Sequence, residues 1–486
     1  MSEADEKGKP QPARGSLIPS LGLFSTIMLV AGGVIGSGIF RKPGVMAAQL
    51  GSPEALLAVW LLAGVITLFG ALANAEIAAA IPETGGQFVF FDRLYGPFVA
   101  FLYGWAAFTV FQTGSITAVC YVFAEYGMQL VPLPSLPEAS TAFSFHLPFI
   151  GDITPWKDFT TKCVAAAVIV ILTAVNYVGV RFGGLVQNVV TLAKFAAMLT
   201  LVILVFIPPL EGSVSNLSAN SLSISPSGLG WWSAMAAAMA GAFWAYDGWN
   251  KITYVAGEVK EPQRNLPRGL IIGMVLVTAL YLLMNAAYSY AMPIDDMAKS
   301  KLVAANVAEL CVPGGGRWIA LAVMLSTFGA ANAIILASAR VYFSMARHGM
   351  APRFLGRVHP RFHTPAAALV VQGLWAVILL FSGTFDQITD MLIFVIWIFY
   401  AAGAWGVVTL RRREPNLPRP YRVPGYPVVP IVFVLFAIAY LALTIHNDIA
   451  GYRAAVAAGK PALINSALGL ALVLVGTPIY LIYRRR

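Results

Sequence analysis

Two stretches of the 486-residue chain combine glycine with polar groups in the middle of long apolar runs. The first reads Ala31-Gly32-Gly33-Val34-Ile35-Gly36-Ser37-Gly38-Ile39-Phe40, with four glycines in seven positions. Each glycine costs a helix about 1 kcal/mol against alanine, so the helix is expected to break there. The second reads Gly241-Ala242-Phe243-Trp244-Ala245-Tyr246-Asp247-Gly248-Trp249-Asn250. It places a carboxylate, a glycine and aromatics where an apolar helix would otherwise continue. Paired interrupted segments in corresponding positions of two halves point to a substrate site. A glycine face for close helix packing is the plainer reading, but it does not explain Asp247.

A break frees backbone groups. The N–H groups of Ile35, Gly36, Ser37 and Gly38, at the start of a following half-helix, suit a carboxylate, because they are unpaired and carry the positive end of the helix dipole. Freed carbonyls of the preceding half and of the second break suit an ammonium. A site with both poles fits an α-amino acid zwitterion.

Lys194 lies inside an apolar run, in Leu192-Ala193-Lys194-Phe195-Ala196. A charge in mid-membrane costs about 2.5–3.5 kcal/mol or more, so a functional role is the default. A fixed ammonium there could stand in for a bound cation, or could titrate. Asp247 could meet a substrate ammonium or a cationic side chain, or pair with a neighbouring donor. Trp244 and Trp249 are candidate gates. Glu76 is read as structural and Glu125 as solvated. Gln112, Ser115, Ser326, Asn332 and Ser338 are weaker candidates for the site. The run Glu258–Pro267 is read as a charged loop, either an inner gate or simply solvated.

The elements that position these residues follow from composition. Hydrophobic residues make up 58%, charged residues 11%, and mean hydropathy is +0.75. A soluble domain carries about 25% charged residues, so an ordinary soluble enzyme and a disordered chain are both excluded. Apolar runs fall near 22–40, 54–81, 98–130, 160–180, 185–209, 231–256, 268–291, 317–347, 365–382, 385–409, 427–446 and 463–483. They are continuous rather than alternating, which disfavours a barrel and predicts twelve transmembrane helices. With both termini inside, 21 of the 32 basic residues fall on the inner face and nine on the outer, Arg41 and Lys42 among the nine; Lys194 and Lys251 lie within spans. This bias follows the positive-inside tendency and accounts for the net charge of +10 without nucleic acid. Cys120, Cys163 and Cys311 form no CxxC pair, and the five histidines fall in loops or at span ends, so no metal, haem or other cofactor is expected. The first twenty residues show no cleavable signal sequence.

These residues together resemble the amino acid–polyamine–organocation superfamily, and within it the L-type amino acid transporter family. The motifs that carry the resemblance are Gly33–Phe40, Ile81-Pro82-Glu83-Thr84-Gly85-Gly86, Leu172-Thr173-Ala174-Val175-Asn176, Lys194, Ala245–Asn250 and Arg264-Asn265-Leu266-Pro267. The resemblance implies an all-α, LeuT-like inverted repeat of five plus five helices with two of them broken, followed by two more. A cytoplasmic tail would occupy 1–20, the transport core 21–410 (repeats near 21–209 and 231–410), a basic cytoplasmic loop 411–426 and the added helices 427–486. It implies a substrate carboxylate on the backbone around Ser37 and Gly38, the amino group on carbonyls near Val34 and Trp244, and contacts to Ala245 and Asp247. Trp244 would be the aromatic gate and Lys194 would replace a sodium ion. Asp247 resembles members that accept cationic as well as neutral substrates. The loop at about 131–157 lacks the cysteine by which animal members join a glycoprotein, so no disulfide-linked heavy subunit is expected.

The reading is therefore a sodium-independent amino acid permease of the cell (inner) membrane, working by alternating access and exchanging one amino acid for another. A proton-coupled symporter of the same fold is the nearest alternative, and a non-translocating amino-acid sensor a more distant one. A membrane enzyme is disfavoured by the lack of catalytic histidines in the apolar core.

Overall fold

Inside lipid, backbone N–H and C=O groups find no water, so a long apolar run satisfies them internally as a helix. The computed structural model of the chain is built this way. It describes residues 21–484 except 84, 138–140, 142, 149–150, 179–182, 208–211, 219–228, 363 and 461. The tail expected at 1–20 lies outside the described residues, as do Thr84, Arg181, His363, Arg485 and Arg486.

The helices are α1 (Leu23–Val34), α2 (Gly38–Leu50), α3 (Pro53–Ala80), α4 (Gln87–Tyr95), α5 (Pro97–Leu130), α6 (Phe159–Val178), α7 (Gly183–Val205) and α8 (Leu229–Tyr246). They continue as α9 (Pro262–Ala291), α10 (Ile294–Lys299), α11 (Val303–Cys311), α12 (Gly315–Arg347), α13 (Ala366–Leu380), α14 (Phe385–Arg413), α15 (Val428–Ala457), α16 (Asn465–Leu474) and α17 (Gly476–Arg484). Among the described residues, nine helical segments are long and apolar enough to cross a membrane, or ten when α1 and α2 count as one bent span. The run expected at 365–382 forms only the 15-residue α13. The run expected at 231–256 is α8 followed by a 3-10 helix over Trp249–Glu258. The chain is a multi-pass helical membrane protein. A small antiparallel hairpin, Phe145–Leu147 with Gly151–Ile153, interrupts the helical pattern in the loop after α5.

Local sequence explains the element ends. Ser52 accepts from the Ala55 N–H and Pro53 opens α3, the arrangement in which a missing proline N–H costs nothing. Thr384 and Gln387 form a reciprocal cap at the start of α14, satisfying two otherwise orphaned donors. Within α5 a π-turn runs over Ala107–Phe111, and the Ala107 carbonyl accepts from both the Gln112 N–H and the Tyr342 hydroxyl.

The interior is held by α3 against α9, α5 against α12, α8 against α2 and α1 against α9. Large apolar side chains such as Ile171, Leu325 and Leu435 are exposed, as expected where lipid covers the surface. Glu76, fully buried on α3, accepts two bonds from Arg411 at 2.8 and 2.7 Å and one from the Val423 N–H at 2.7 Å. That bidentate pair joins α3 to the end of α14 and the basic loop after it, the structural part its sequence position suggested.

Two expectations fail. The first run does not end at residue 40 before Arg41 and Lys42: α2 continues past Phe40 to Leu50 and buries both. Glu125 is not solvated: its carboxylate accepts from Arg41 Nε at 2.9 Å, and its side chain is 14% exposed. Lys42 meets Asp386 at 2.7 Å, Thr389 at 2.9 Å and Asp390 at 3.8 Å. Cations on an apolar helix are tolerated there because three carboxylates from α5 and α14 converge on them.

Candidate substrate site

Helix α1 stops at Val34 and α2 starts at Gly38, with a bend of 41° between them. Ile35, Gly36 and Ser37 belong to no helix. The Ile35 N–H closes the last turn onto Ala31, while the N–H groups of Gly36 and Ser37 have no hydrogen-bond partner among the described residues. The N–H groups of Gly38 and Ile39 add to them, since a helix leaves its first donors unpaired, while those of Phe40 and Arg41 donate to the Ser37 carbonyl. Ser37 Oγ is 1% exposed and also without a partner. An unpaired buried donor is costly, so this cluster is chemically poised for an acceptor.

The second interruption lies directly against the first. Helix α8 ends at Tyr246, and Gly248 turns the chain with φ of +105°, a conformation that suits glycine. A Cβ on Gly248 would fall 2.4 Å from the Gly33 carbonyl oxygen, and one on Gly38 would fall 2.4 Å from Ala245 Cα. Only glycine at both positions lets the two broken helices touch. A narrow cavity between them is lined by Val34, Gly36, Ser37, Gly38, Trp244 and Asp247, and also by Ser115 and Lys251. Val34, Ile35 and Ala245 are themselves buried.

The carbonyls released by the breaks have partners that neither glycine motif foretold. Lys194, buried on α7, donates to the carbonyl oxygens of Ile35 at 2.8 Å and Gly32 at 3.4 Å. Tyr281 on α9 donates within reach of two oxygens, Val34 at 3.2 Å and Ala245 at 3.1 Å, and so bridges the two broken helices. A carbonyl has two lone pairs, so Val34 and Ala245 keep acceptor capacity for a ligand ammonium.

Trp244 is 6% exposed with its indole N–H unpartnered. Its ring meets Phe385 edge-on at 6.1 Å. Phe385 in turn lies under the charged groups of Arg41 and Lys42, at 5.2 and 5.0 Å. A continuous stack therefore runs from the cavity to the buried ion-pair cluster. Asp247 accepts from Tyr400 at 2.6 Å and faces Lys251 at 4.0 Å. Trp249 packs on Tyr400 rather than on the cavity lined by Ser37.

Of the weaker candidates, Ser115 alone lines that cavity. Gln112 donates to Tyr254, Asn332 accepts from Asn176, and the Ser338 hydroxyl lies within hydrogen-bond reach of two acceptors, the Ile334 carbonyl and Gln372 Oε1. Ser326 is buried without a partner, away from the cavity. The loop expected over Glu258–Pro267 is shorter than that: Glu261 takes the N-cap position of α9, which already contains Arg264, and the two form an exposed pair at the helix start. Cys120 and Cys311 are buried and Cys163 exposed, all three as free thiols. No group of three or more His, Cys, Asp or Glu side chains is placed to hold a metal among the described residues.

Known proteins are similar to this chain along most of its length. The chain is 31% identical over 436 residues to the human b(0,+)-type amino acid transporter 1, covering 89% of this chain and 84% of that protein. It is 29% identical over 470 residues to the serine/threonine exchanger SteT of Bacillus subtilis, covering 96% and 97%. It is 31% identical over 430 residues to the mouse Asc-type amino acid transporter 1, covering 87% and 76%. The family model for amino acid permeases matches residues 21–478, and the chain belongs to the amino acid permease family.

Proposed function

We propose that the protein is a sodium-independent amino acid exchanger of the cell membrane, working by alternating access around the two touching breaks. The arrangement would be the twelve-helix, five-plus-five inverted repeat with both termini cytoplasmic. The substrate carboxylate would take the free N–H groups of Gly36, Ser37 and Gly38 with Ser37 Oγ. The amino group would take the second lone pairs of the Val34 and Ala245 carbonyls, with the carbonyl of Ile35 already engaged by Lys194. Trp244, backed by Phe385, would cover the bound molecule. The lack of a cysteine between 131 and 157 supports a carrier that works without a disulfide-linked partner.

The observation that carries sodium independence is the Lys194 ammonium, 2.8 Å from the Ile35 carbonyl in the break. Unwound carbonyls and half-helix ends are where transporters of this kind coordinate a cation, and here a tethered ammonium occupies them. Exchange is supported by the likeness to a serine/threonine exchanger along nearly the whole chain. Uptake of labelled amino acid into sodium-free proteoliposomes, with and without unlabelled amino acid inside, tests the reading. Proton-coupled symport is the second reading, favoured by the burial of Lys194 with no carboxylate in ion-pair range among the described residues. It predicts uptake into empty vesicles driven by a proton gradient.

A further inference from the structure

Asp247 borders two cavities, one lined by Ser37 and Trp244, the other by Thr67, Tyr246, Trp249 and Tyr400. A carboxylate in that place would ordinarily offer itself to a cationic side chain of the substrate. Here both of its oxygens are addressed from within the chain. Tyr400 donates to Oδ1 at 2.6 Å, and Lys251 Nζ stands 4.0 Å from Oδ2.

The placement of Lys251 is built by the backbone. It sits four residues after Asp247, and its N–H donates to the Gly248 carbonyl at 3.1 Å. The left-handed turn at Gly248 folds the start of the 3-10 helix back toward the break. A Cβ on Gly248 would lie 3.1 Å from Lys251 Nζ, so the ammonium is held against the turn and borders the same cavity as Asp247. The side chains of Lys251 and Asp247 are 16% and 7% exposed. The other buried lysine nearby, Lys194, is committed to the Gly32 and Ile35 carbonyls. Lys251 is therefore the cation available to Asp247.

We infer that Lys251 is a specificity-determining residue: a tethered ammonium that occupies the place a cationic substrate side chain would take at Asp247. This rests on the amino acid permease reading and names its substrate class, amino acids with uncharged side chains. A lysine or arginine substrate would have to displace a cation that is already part of the chain, and would meet like charge in a site with little water. Discrimination of this kind comes from a repulsive element as much as from an attractive one. An uncharged side chain meets no such penalty.

The test compares the intact protein with Lys251→Gln, Lys251→Met and the double variant Lys251→Gln/Asp247→Asn in proteoliposomes preloaded with neutral amino acids. Labelled serine, leucine and arginine are supplied outside. The readout is the ratio of arginine to neutral uptake, which is insensitive to how much of a variant folds. The intact protein is expected to take up a neutral amino acid and to discriminate against arginine. Either single variant should raise the arginine ratio by about tenfold or more, the order of one unit-charge contact at intermediate dielectric, and the double variant should lose that gain. Intact protein that takes up arginine as well as neutral substrates overturns the inference and leaves the permease reading standing. So does an unchanged ratio in both single variants. Failure of the intact protein to take up or exchange any amino acid overturns the permease reading, and the inference with it.

Discussion

The ammonium of Lys194 on α7 lies 2.8 Å from the carbonyl oxygen of Ile35, inside the break between α1 and α2. One side chain thus satisfies a backbone acceptor that the interrupted helix cannot satisfy itself, and ties α7 to the break. Lys194→Met should leave the Gly32 and Ile35 carbonyls without that donor. A hydrogen bond to a charged group contributes about 1.5–3 kcal/mol, so the melting temperature in detergent should fall. Uptake should fall at least about tenfold, the rate equivalent of 1.4 kcal/mol. Near-normal uptake by the variant would remove Lys194 from the account.

Tyr281 offers a sharper test of how the two breaks are joined. Its hydroxyl reaches Val34 and Ala245 at 3.2 and 3.1 Å, and its ring packs edge-on against Trp60 at 5.4 Å. Tyr281→Phe keeps the ring and deletes the bridge. The expected stability loss is about 1–2 kcal/mol, with a larger change in transport rate than in substrate binding. A thermal melt and a concentration series of uptake separate the two effects.

Much of this site was legible in the chain. Glycine density located the break at 32–38, and a lysine in an apolar run drew attention to Lys194 because burial of an isolated charge demands a reason. Asp247 and Gly248 marked the second interruption on the same grounds. What spacing cannot show is contact between distant helices. Tyr281 and Tyr400 are ordinary aromatics by pattern, and their hydroxyls matter only because α9 and α14 carry them to the breaks. The first span reads as ending at residue 40 because two adjacent cations follow it, yet α2 carries both onward to Leu50. Here Glu125, Asp386 and Asp390 compensate them, and that compensation is written 84 to 348 residues away. The overall membrane character needed no such contacts, since hydropathy alone sets it.

The cluster around α2 predicts a conformational effect. Glu125 and Arg41 are both shielded from solvent, so weakening the pair should favour conformations in which α2 has moved. Glu125→Gln keeps an acceptor but loses the charge, at a cost of about 2–3 kcal/mol, below the 3–5 kcal/mol of a fully broken buried pair. With Cys120, Cys163 and Cys311 replaced by serine and Ser37 by cysteine, the variant should react faster with a water-soluble thiol reagent. Unchanged reactivity alongside a lowered melting temperature would make the cluster purely structural.

Away from the site, Glu309 caps α12 by accepting from the N–H groups of Gly314 and Gly316, both at 2.9 Å. Those bonds hold its carboxyl below the usual glutamate range. A group depressed in the folded state stabilises above its unfolded pKa of about 4.3 and loses that contribution as pH falls through the folded value. The melting temperature of the intact protein should therefore exceed that of Glu309→Ala at pH 7, and the gap should close below about pH 4.3. A gap independent of pH would show that the carboxylate charge plays no part.

The most direct test of the central claim is uptake of labelled neutral amino acid into sodium-free proteoliposomes, with and without amino acid inside. The site described here, with a lysine ammonium at the break and free N–H groups for a carboxylate, predicts sodium-independent uptake that depends on internal amino acid and collapses in Lys194→Met. Uptake that requires sodium, or that is equal in Lys194→Met, would contradict it.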